Sequence, residues 1–362
     1  MNRFELFLPV NRLVRGAFNP LLGAAVLVAL FTLASTSAIA QFAGPTQLTL
    51  VNGWSDAGFS TSHAMVSEEN SIVQFKGSIE GGTSSVAFTL PSGLRPSTDV
   101  YIPVDLCNAN KGRLHITPTG DVDVQAETAF SDAQCFTSLD GASFALNSNG
   151  YTALTLLNGW TTGPFSTNKA AARIIGANVH FIGAIATTGT NPVAFTLPTG
   201  MRPPTDVYVP VDLCNANNGR LHITPAGDVD VQAEGGTFSN AQCFTSLDGA
   251  WFSFGSGTNF QNLGPVNGWT SAPFATNIAQ AENAYGIVYF RGAISTSGTN
   301  AQPFTLAARF RPVSNVYVNV DLCGAAKGRL LIQTSGAVTV QAESSFSDAQ
   351  CFTSLDGVSF VQ

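Results

Sequence analysis

The chain has 362 residues, with 16 Lys or Arg against 23 Asp or Glu, for a formal charge of −7. Charged residues are 11% of it, against about 25% in an ordinary soluble domain. An acidic, cation-poor chain has no electrostatic footprint for nucleic acid or an anionic membrane surface, so Ser, Thr, Asn, Gln and Gly must cover it.

The first 40 residues read as an export signal. Arg3, Arg12 and Arg15 form a positive region, Leu21–Leu33 is uncharged and apolar, and Ser37-Ala38-Ile39-Ala40 offers small residues for cleavage before Gln41. Leu21–Ala40 is also just long enough to span a bilayer, so an uncleaved anchor is the alternative. No Cys follows the apolar stretch, which argues against a lipid anchor, and no second segment could cross a membrane. Cleavage removes three Arg and one Glu and takes the charge from −7 to −9. The expected location is secreted or cell-surface, without membrane insertion after cleavage.

The remainder is a threefold repeat. Ala-Gln-Cys-Phe-Thr-Ser-Leu-Asp-Gly occurs at Ala133–Gly141, Ala241–Gly249 and Ala349–Gly357. Each copy is preceded by Val-Asp-Leu-Cys and, earlier, Asn-Gly-Trp. Trp160 follows Trp54 by 106 residues and Trp269 follows Trp160 by 109. A unit of this length is a small domain rather than a solenoid repeat. Repeats are expected at 41–146, 151–256 and 260–362, joined by short Ser/Asn/Gly-rich linkers at Asn147–Tyr151 and Gly255–Gln261.

In the first repeat, Gln47–Val51 reads as a strand ending at the Asn52-Gly53 turn, followed by strands Ser71–Ile79 and Val86–Leu90. Pro91-Ser92-Gly93 and Arg95-Pro96 mark a loop. Val100–Cys107 alternates strictly, with Val100, Ile102, Val104 and Leu106 on one face, as a half-buried antiparallel strand does. Pro103 and Pro210 cannot donate to a ladder, which predicts a sheet edge or a non-bonded position; the third copy has Asn319 there. Arg113–Thr117 and Asp121–Gln125 form a hairpin around Pro118-Thr119-Gly120. Cys135–Leu139 and Ala142–Leu146 flank Asp140-Gly141 as a second hairpin. No segment of the mature chain carries sustained helical periodicity. Each repeat is therefore expected to be an all-β, antiparallel, jelly-roll-like sandwich.

The six cysteines fall two per repeat: Cys107 with Cys135, Cys214 with Cys243, and Cys323 with Cys351. Threefold repetition selects one bridge per repeat from the 15 pairings that six cysteines allow, and export makes bridges plausible. Zinc fits badly without a Cys-x-x-Cys or a recurring His.

His115 is expected opposite Asp123, and His222 opposite Asp230. The third copy has Leu331 and Thr339 there, and joint replacement is the behaviour of a contact pair rather than a catalytic dyad. Asp121, Asp123, Gln125 and Glu127 share a face but are too extended to wrap one calcium ion. Asp140, Asp248 and Asp356 read as ordinary tight-turn residues before Gly. Trp54, Trp160 and Trp269 read as core rather than sugar platforms. Trp251, unique to the second copy, is the one residue expected to contact a ligand. No Gly-x-Ser-x-Gly, His-Glu-x-x-His or phosphate-cradling Gly loop occurs, so the sequence offers no residues for an enzyme and implies no cofactor.

The landmarks, taken together, resemble a bacteriophage tail-fibre head module. They are Asn-Gly-Trp, Phe-x-Leu-Pro-x-Gly-x-Arg-Pro, a Gly-then-hydrophobic hairpin and a final Ser-Leu-Asp-Gly-x-x-Phe. These stand at Asn52–Trp54, Phe88–Pro96, Gly112–Val124 and Ser138–Phe144, and again in each later copy, with Ala307-Ala308 departing in the third. The resemblance implies sandwiches that commonly trimerise and carry surface recognition. With the export signal, it implies a binding or adhesion protein for a glycan or cell surface, the alternative being a structural coat or matrix component. Three tandem copies also imply inter-repeat packing or oligomerisation. The expectation is an intramolecular pseudo-trimer, against beads on a string: a linker of about six residues reaches roughly 20 Å.

Overall fold

A computed structural model describes residues 45–254 and 259–362. The export segment lies outside the described residues, as does part of the second linker. The first repeat runs β1 (Thr46–Gln47), β2 (Ser55–Asp56), β3 (Met65–Glu69), β4 (Ile72–Lys76), β5 (Ser78–Glu80) and β6 (Val86–Thr89). It continues with β7 (Val100–Asp105), β8 (Lys111–Ile116), β9 (Asp121–Ala126), α1 (Phe130–Cys135), β10 (Thr137–Ser138) and β11 (Ser143–Ala145). The strands form three antiparallel sheets, ordered β1-β3-β4-β11, β10-β5-β2 and β6-β9-β8-β7, and each later repeat has the same three.

Alternation on β7, β8 and β9 sends Val100, Ile102, Val104, Leu114, Ile116, Val122 and Val124 into one core with Phe75, Phe88 and Phe144. Trp54, Trp160 and Trp269 close these cores, and each indole N–H donates to a backbone carbonyl at 2.8–3.0 Å. β7 is a sheet edge, which accommodates Pro103. Cys107–Cys135, Cys214–Cys243 and Cys323–Cys351 are disulfides, with Cα separations of 5.6, 5.7 and 5.7 Å.

Three local expectations change. The segment 71–79 is two strands in different sheets, broken at Gly77, where φ is +90° and a Cβ would fall 2.2 Å from His63 O. Asp140-Gly141 is not a hairpin, because β10 pairs β5 while β11 pairs β4. The first strand keeps only Thr46–Gln47, with Leu50 as an isolated bridge to Phe88. A short helix at Phe130–Cys135 recurs in every copy; six residues are too few to show a helical period in sequence.

The repeats belong to one compact unit. β7 touches its counterparts Val207–Asp212 and Val316–Asp321, which also touch each other. The outward face of β7, expected to be half solvated, is this junction. A cyclic set of bonds closes it. Arg113 Nη1 donates to Asp212, Arg220 to Asp321 and Arg329 to Asp105, at 3.0, 3.0 and 2.9 Å. Ser246 donates to Tyr101 O, Ser354 to Tyr208 O and Ser138 to Tyr317 O. The third repeat closes onto the first with the geometry of the other junctions, so the packing is a ring and not a string.

Candidate functional site

Each junction holds a shallow groove. Tyr101 on β7 and Arg113 on β8 stand on the outward face, with the guanidinium carbon 4.8 Å from the ring centroid. Arg113 is fixed at both ends, donating from Nε to Gln125 at 2.7 Å and from Nη1 to Asp212 of the next repeat. Phe244 meets Tyr101 edge-on at 5.1 Å, and Phe165 meets Phe244 at 5.5 Å. Cys214 and Asn215 form the opposite rim of a cavity of about 60 Å³. The second groove repeats this with Tyr208, Arg220, Phe352, Phe274 and Gly324, at about 30 Å³. The third has Tyr317, Arg329, Phe136, Phe59 and Asn108, at about 50 Å³.

The outer phenylalanines are the feature that sequence reading missed. Phe59, Phe165 and Phe274 are 53%, 59% and 58% exposed and have φ of 55°, 54° and 53°. A bulky side chain in the left-handed region costs about 1–3 kcal/mol and persists only where the surroundings over-determine it. Two sets of bonds do so. Thr61, Thr167 and Thr276 donate both backbone N–H and hydroxyl to the carbonyl three residues earlier. The next carbonyl of each loop then accepts from a neighbouring repeat: Ser60 O from Asn315 N, Ser166 O from Asp99 N and Ala275 O from Asp206 N. The Phe loop is thus held open by the ring closure itself. The sequence signal is a Phe recurring five residues after the Trp, at Phe59, Phe165 and Phe274.

His115 stands opposite Asp123 and His222 opposite Asp230, as Leu331 does opposite Thr339. A third member completes each set. His115 Nε2 lies 3.1 Å from Asp99 and Nδ1 3.6 Å from Asp123, while its ring stacks on Tyr101 at 4.4 Å. His222 repeats this with Asp206 and Asp230, both at 3.5 Å, and Tyr208 at 4.6 Å. Asn315 replaces the extra Asp in the third repeat. The imidazole backs one face of the groove tyrosine while the arginine covers it from the neighbouring position of the same strand.

Trp251 requires correction. It is 1% exposed, stacked near His180 and edge-on to Tyr289 of the third repeat at 5.1 Å, so it offers no ligand-accessible face. Its uniqueness reflects packing between repeats. The row Asp121, Asp123, Gln125 and Glu127 is taken up by Thr89, Ser85, Arg113 and Lys111 respectively. Among the described residues, no three His, Cys, Asp or Glu are placed to hold a metal.

Two further sets of charges lie inside the ring. Lys111 reaches Glu127, Glu234 and Glu343, one from each repeat, at 3.0, 3.0 and 3.2 Å. Burial lowers its pKa, but the bonds to Glu234 and Glu127 outweigh that and hold the ammonium charged. Asp140, Asp248 and Asp356 each accept from the Gly77-type N–H at 2.8, 2.8 and 2.9 Å. They are not exposed turn residues: burial pushes all three up to about 7.

No family model matches the chain, and neither a curated protein nor a solved structure shows significant similarity to it. The functional reading therefore rests on the residues themselves. The three disulfides fit an oxidising, extracellular setting, and among the described residues no helix is long and apolar enough to cross a membrane.

Proposed function

We propose that the protein is a secreted or cell-surface binding protein whose three junction grooves engage a glycan polymer. The observation that carries this is the exposed, left-handed phenylalanine beside a tyrosine–arginine pair, repeated at all three junctions. The loop bonds account for the backbone strain, while the exposure of three equivalent rings is consistent with contact to something outside the chain. A flat ring face takes the C–H face of a sugar, and the adjacent arginine, joined by Asn215 and Asn108 in two of the grooves, supplies hydrogen bonds that fix its orientation. The cavities of about 30–60 Å³ are smaller than the 150 Å³ that holds a benzene ring. The ligand therefore lies across the grooves with a ring edge or hydroxymethyl group inserted. Three weak sites on one rigid body suit a repetitive polymer, for which avidity exceeds any single affinity. The tail-fibre-like landmarks agree with such a role.

The test is binding of the full chain to immobilised polysaccharides, with one, two or all three of Phe59, Phe165 and Phe274 changed to Ser. Stepwise loss of retention with unchanged melting supports the reading. Retention unmoved by the triple variant places the binding face elsewhere, and failure of the parent on every polysaccharide favours a coat or matrix component.

A further inference from the structure

The three repeats agree at the grooves and differ along the sheet that contains β3, β4 and β11. At matched positions β4 and its counterparts carry Gln74, His180 and Tyr289; the neighbouring strands carry Ser67, Arg173 and Glu282, then Ser143, Trp251 and Ser359. These rows meet where the repeats converge, around a cavity of about 90 Å³ lined by residues of all three. Because one chain supplies three different residues to each row, the cavity is asymmetric and occurs once per molecule. It is separate from the grooves and does not depend on the reading given to them.

Its polar lining combines two carboxylates with amides, an imidazole and two phenols. Glu69 and Glu282 bring carboxylates, while no Lys or Arg lines it; Arg173 and Arg291 stand behind His180 and Glu282. Asn178 is 7% exposed and its Oδ1 has no partner; His180 is 6% exposed and stacks near Trp251. A buried acceptor without a partner, such as this Oδ1, costs about 1–3 kcal/mol unless something completes it. Burial, helped by Arg173, lowers His180 to about 4 and so leaves it neutral, with one ring nitrogen an acceptor. Burial also raises Glu282, and burial with neighbouring Glu68 raises Glu69. Glu282 is partly compensated by a backbone bond from Asn259 and by Arg291, whereas burial and the neighbouring Glu68 are what act on Glu69. The remaining walls are apolar, from Ile72, Ile175 and Ile287, with Tyr289 beside them.

We propose that this cavity binds a small primary alkylammonium ion. Its N–H donors meet Glu282, Glu69 and the unpartnered Asn178, and its short alkyl chain lies on the isoleucines. A bare metal ion fits worse, since among the described residues no three metal-ligating side chains converge and much of the wall is hydrocarbon. Trp251 gains a role: it packs on both His180 and Tyr289 and so fixes two walls of the cavity.

Titration calorimetry on the full chain tests this with propylammonium, 1-propanol and calcium chloride. Nα-acetyl-lysine methylamide distinguishes a free amine from a lysine side chain of another protein. Propylammonium or the lysine amide should bind at millimolar concentration or better, 1-propanol and calcium should not, and Glu282→Gln should weaken binding at least about tenfold. Should Glu282→Gln unfold the protein, Glu69→Gln at the more open rim provides the same readout. No heat from either amine, equal binding of 1-propanol, a preference for calcium, or an unchanged affinity in the folded Gln variant overturns the proposal.

Discussion

The junction between repeats 3 and 1 and the junction between repeats 2 and 3 use the same arginine, aspartate, tyrosine and serine positions, yet their buried aspartates are satisfied differently. Asp105 accepts from Arg329 on one oxygen and from Lys327 Nζ, at 2.8 Å, on the other. Asp321 accepts from Arg220, and its second oxygen has no partner, because Asn218 stands where Lys327 would and donates instead to Ala325 O. Junction 1/2 resembles the latter, since Lys111 turns to the three glutamates and leaves Asp212 with Arg113. A buried carboxylate is tolerated only when both oxygens are compensated; where a donor is absent, a proton takes its place. Asp212 and Asp321 are accordingly pushed by burial up to about 7.

The strongest way to break this contrast is Lys327→Met. It leaves Asp105 with Arg329 alone, in the half-paired state of Asp321, and loses a buried charge-assisted bond, which should cost about 1.5–3 kcal/mol of stability. Chemical denaturation that showed less than about 1 kcal/mol would mean that the lysine is dispensable.

The contrast also sets a pH dependence. Asp212, Asp321, Asp140, Asp248 and Asp356 rise from 3.8 to about 7 in the folded chain. Between those values the folded chain holds protons that the unfolded chain has released. Their contribution is therefore full below about pH 4 and is lost as pH rises to about 7. The groups facing Asp321 are Arg220, Glu234 and Lys327, and Arg113 faces Asp212. Melting temperature should fall from pH 5 to pH 8, and a flat or rising profile would refute the assignment. Asn218→Lys supplies the missing donor to Asp321 and should make that fall smaller; an unchanged slope would show that the junction aspartates do not contribute.

A smaller effect is expected at the grooves. Phe165→Gly relieves left-handed strain of about 1–3 kcal/mol while losing an edge-to-face contact of about 0.5–1.5 kcal/mol. The net change should therefore lie between a loss of about 0.5 and a gain of about 2.5 kcal/mol. A large loss would make the exposed ring a structural element of junction 1/2.

The sequence carried the repeats, the cysteine pairs, the edge position of Pro103 and the register of His115 with Asp123, because alternation and threefold recurrence are local or self-comparing signals. It did not carry what depends on contact between copies. Asp105 alternates like a solvated residue and is buried by its counterparts; Asp140 has the composition of a turn and serves as a buried acceptor for Gly77. Trp251 looked copy-specific for a ligand and is copy-specific for packing. The outer Phe of each groove was plain in the sequence, but only backbone geometry separates a strained, exposed ring from a core residue.

The smallest expected effect lies behind the groove tyrosine, where junction 3/1 differs again. There Tyr317 is backed by Leu331, Thr339 and Asn315, whereas Tyr101 at junction 1/2 is backed by His115, Asp123 and Asp99. Changing His115→Leu with Asp123→Thr copies two of the three residues and leaves Asp99 without its imidazole. Adding Asp99→Asn copies all three. If each set is a mutually adjusted contact cluster, the triple variant should cost within about 1 kcal/mol, as cross-strand pairs do. It should also be no less stable than the double variant, because neighbouring substitutions are not additive. Thermal melts of parent, double and triple variants read this directly. A triple variant clearly worse than the double would show that the carboxylate–imidazole set does more at junction 1/2 than hold Tyr101 in place.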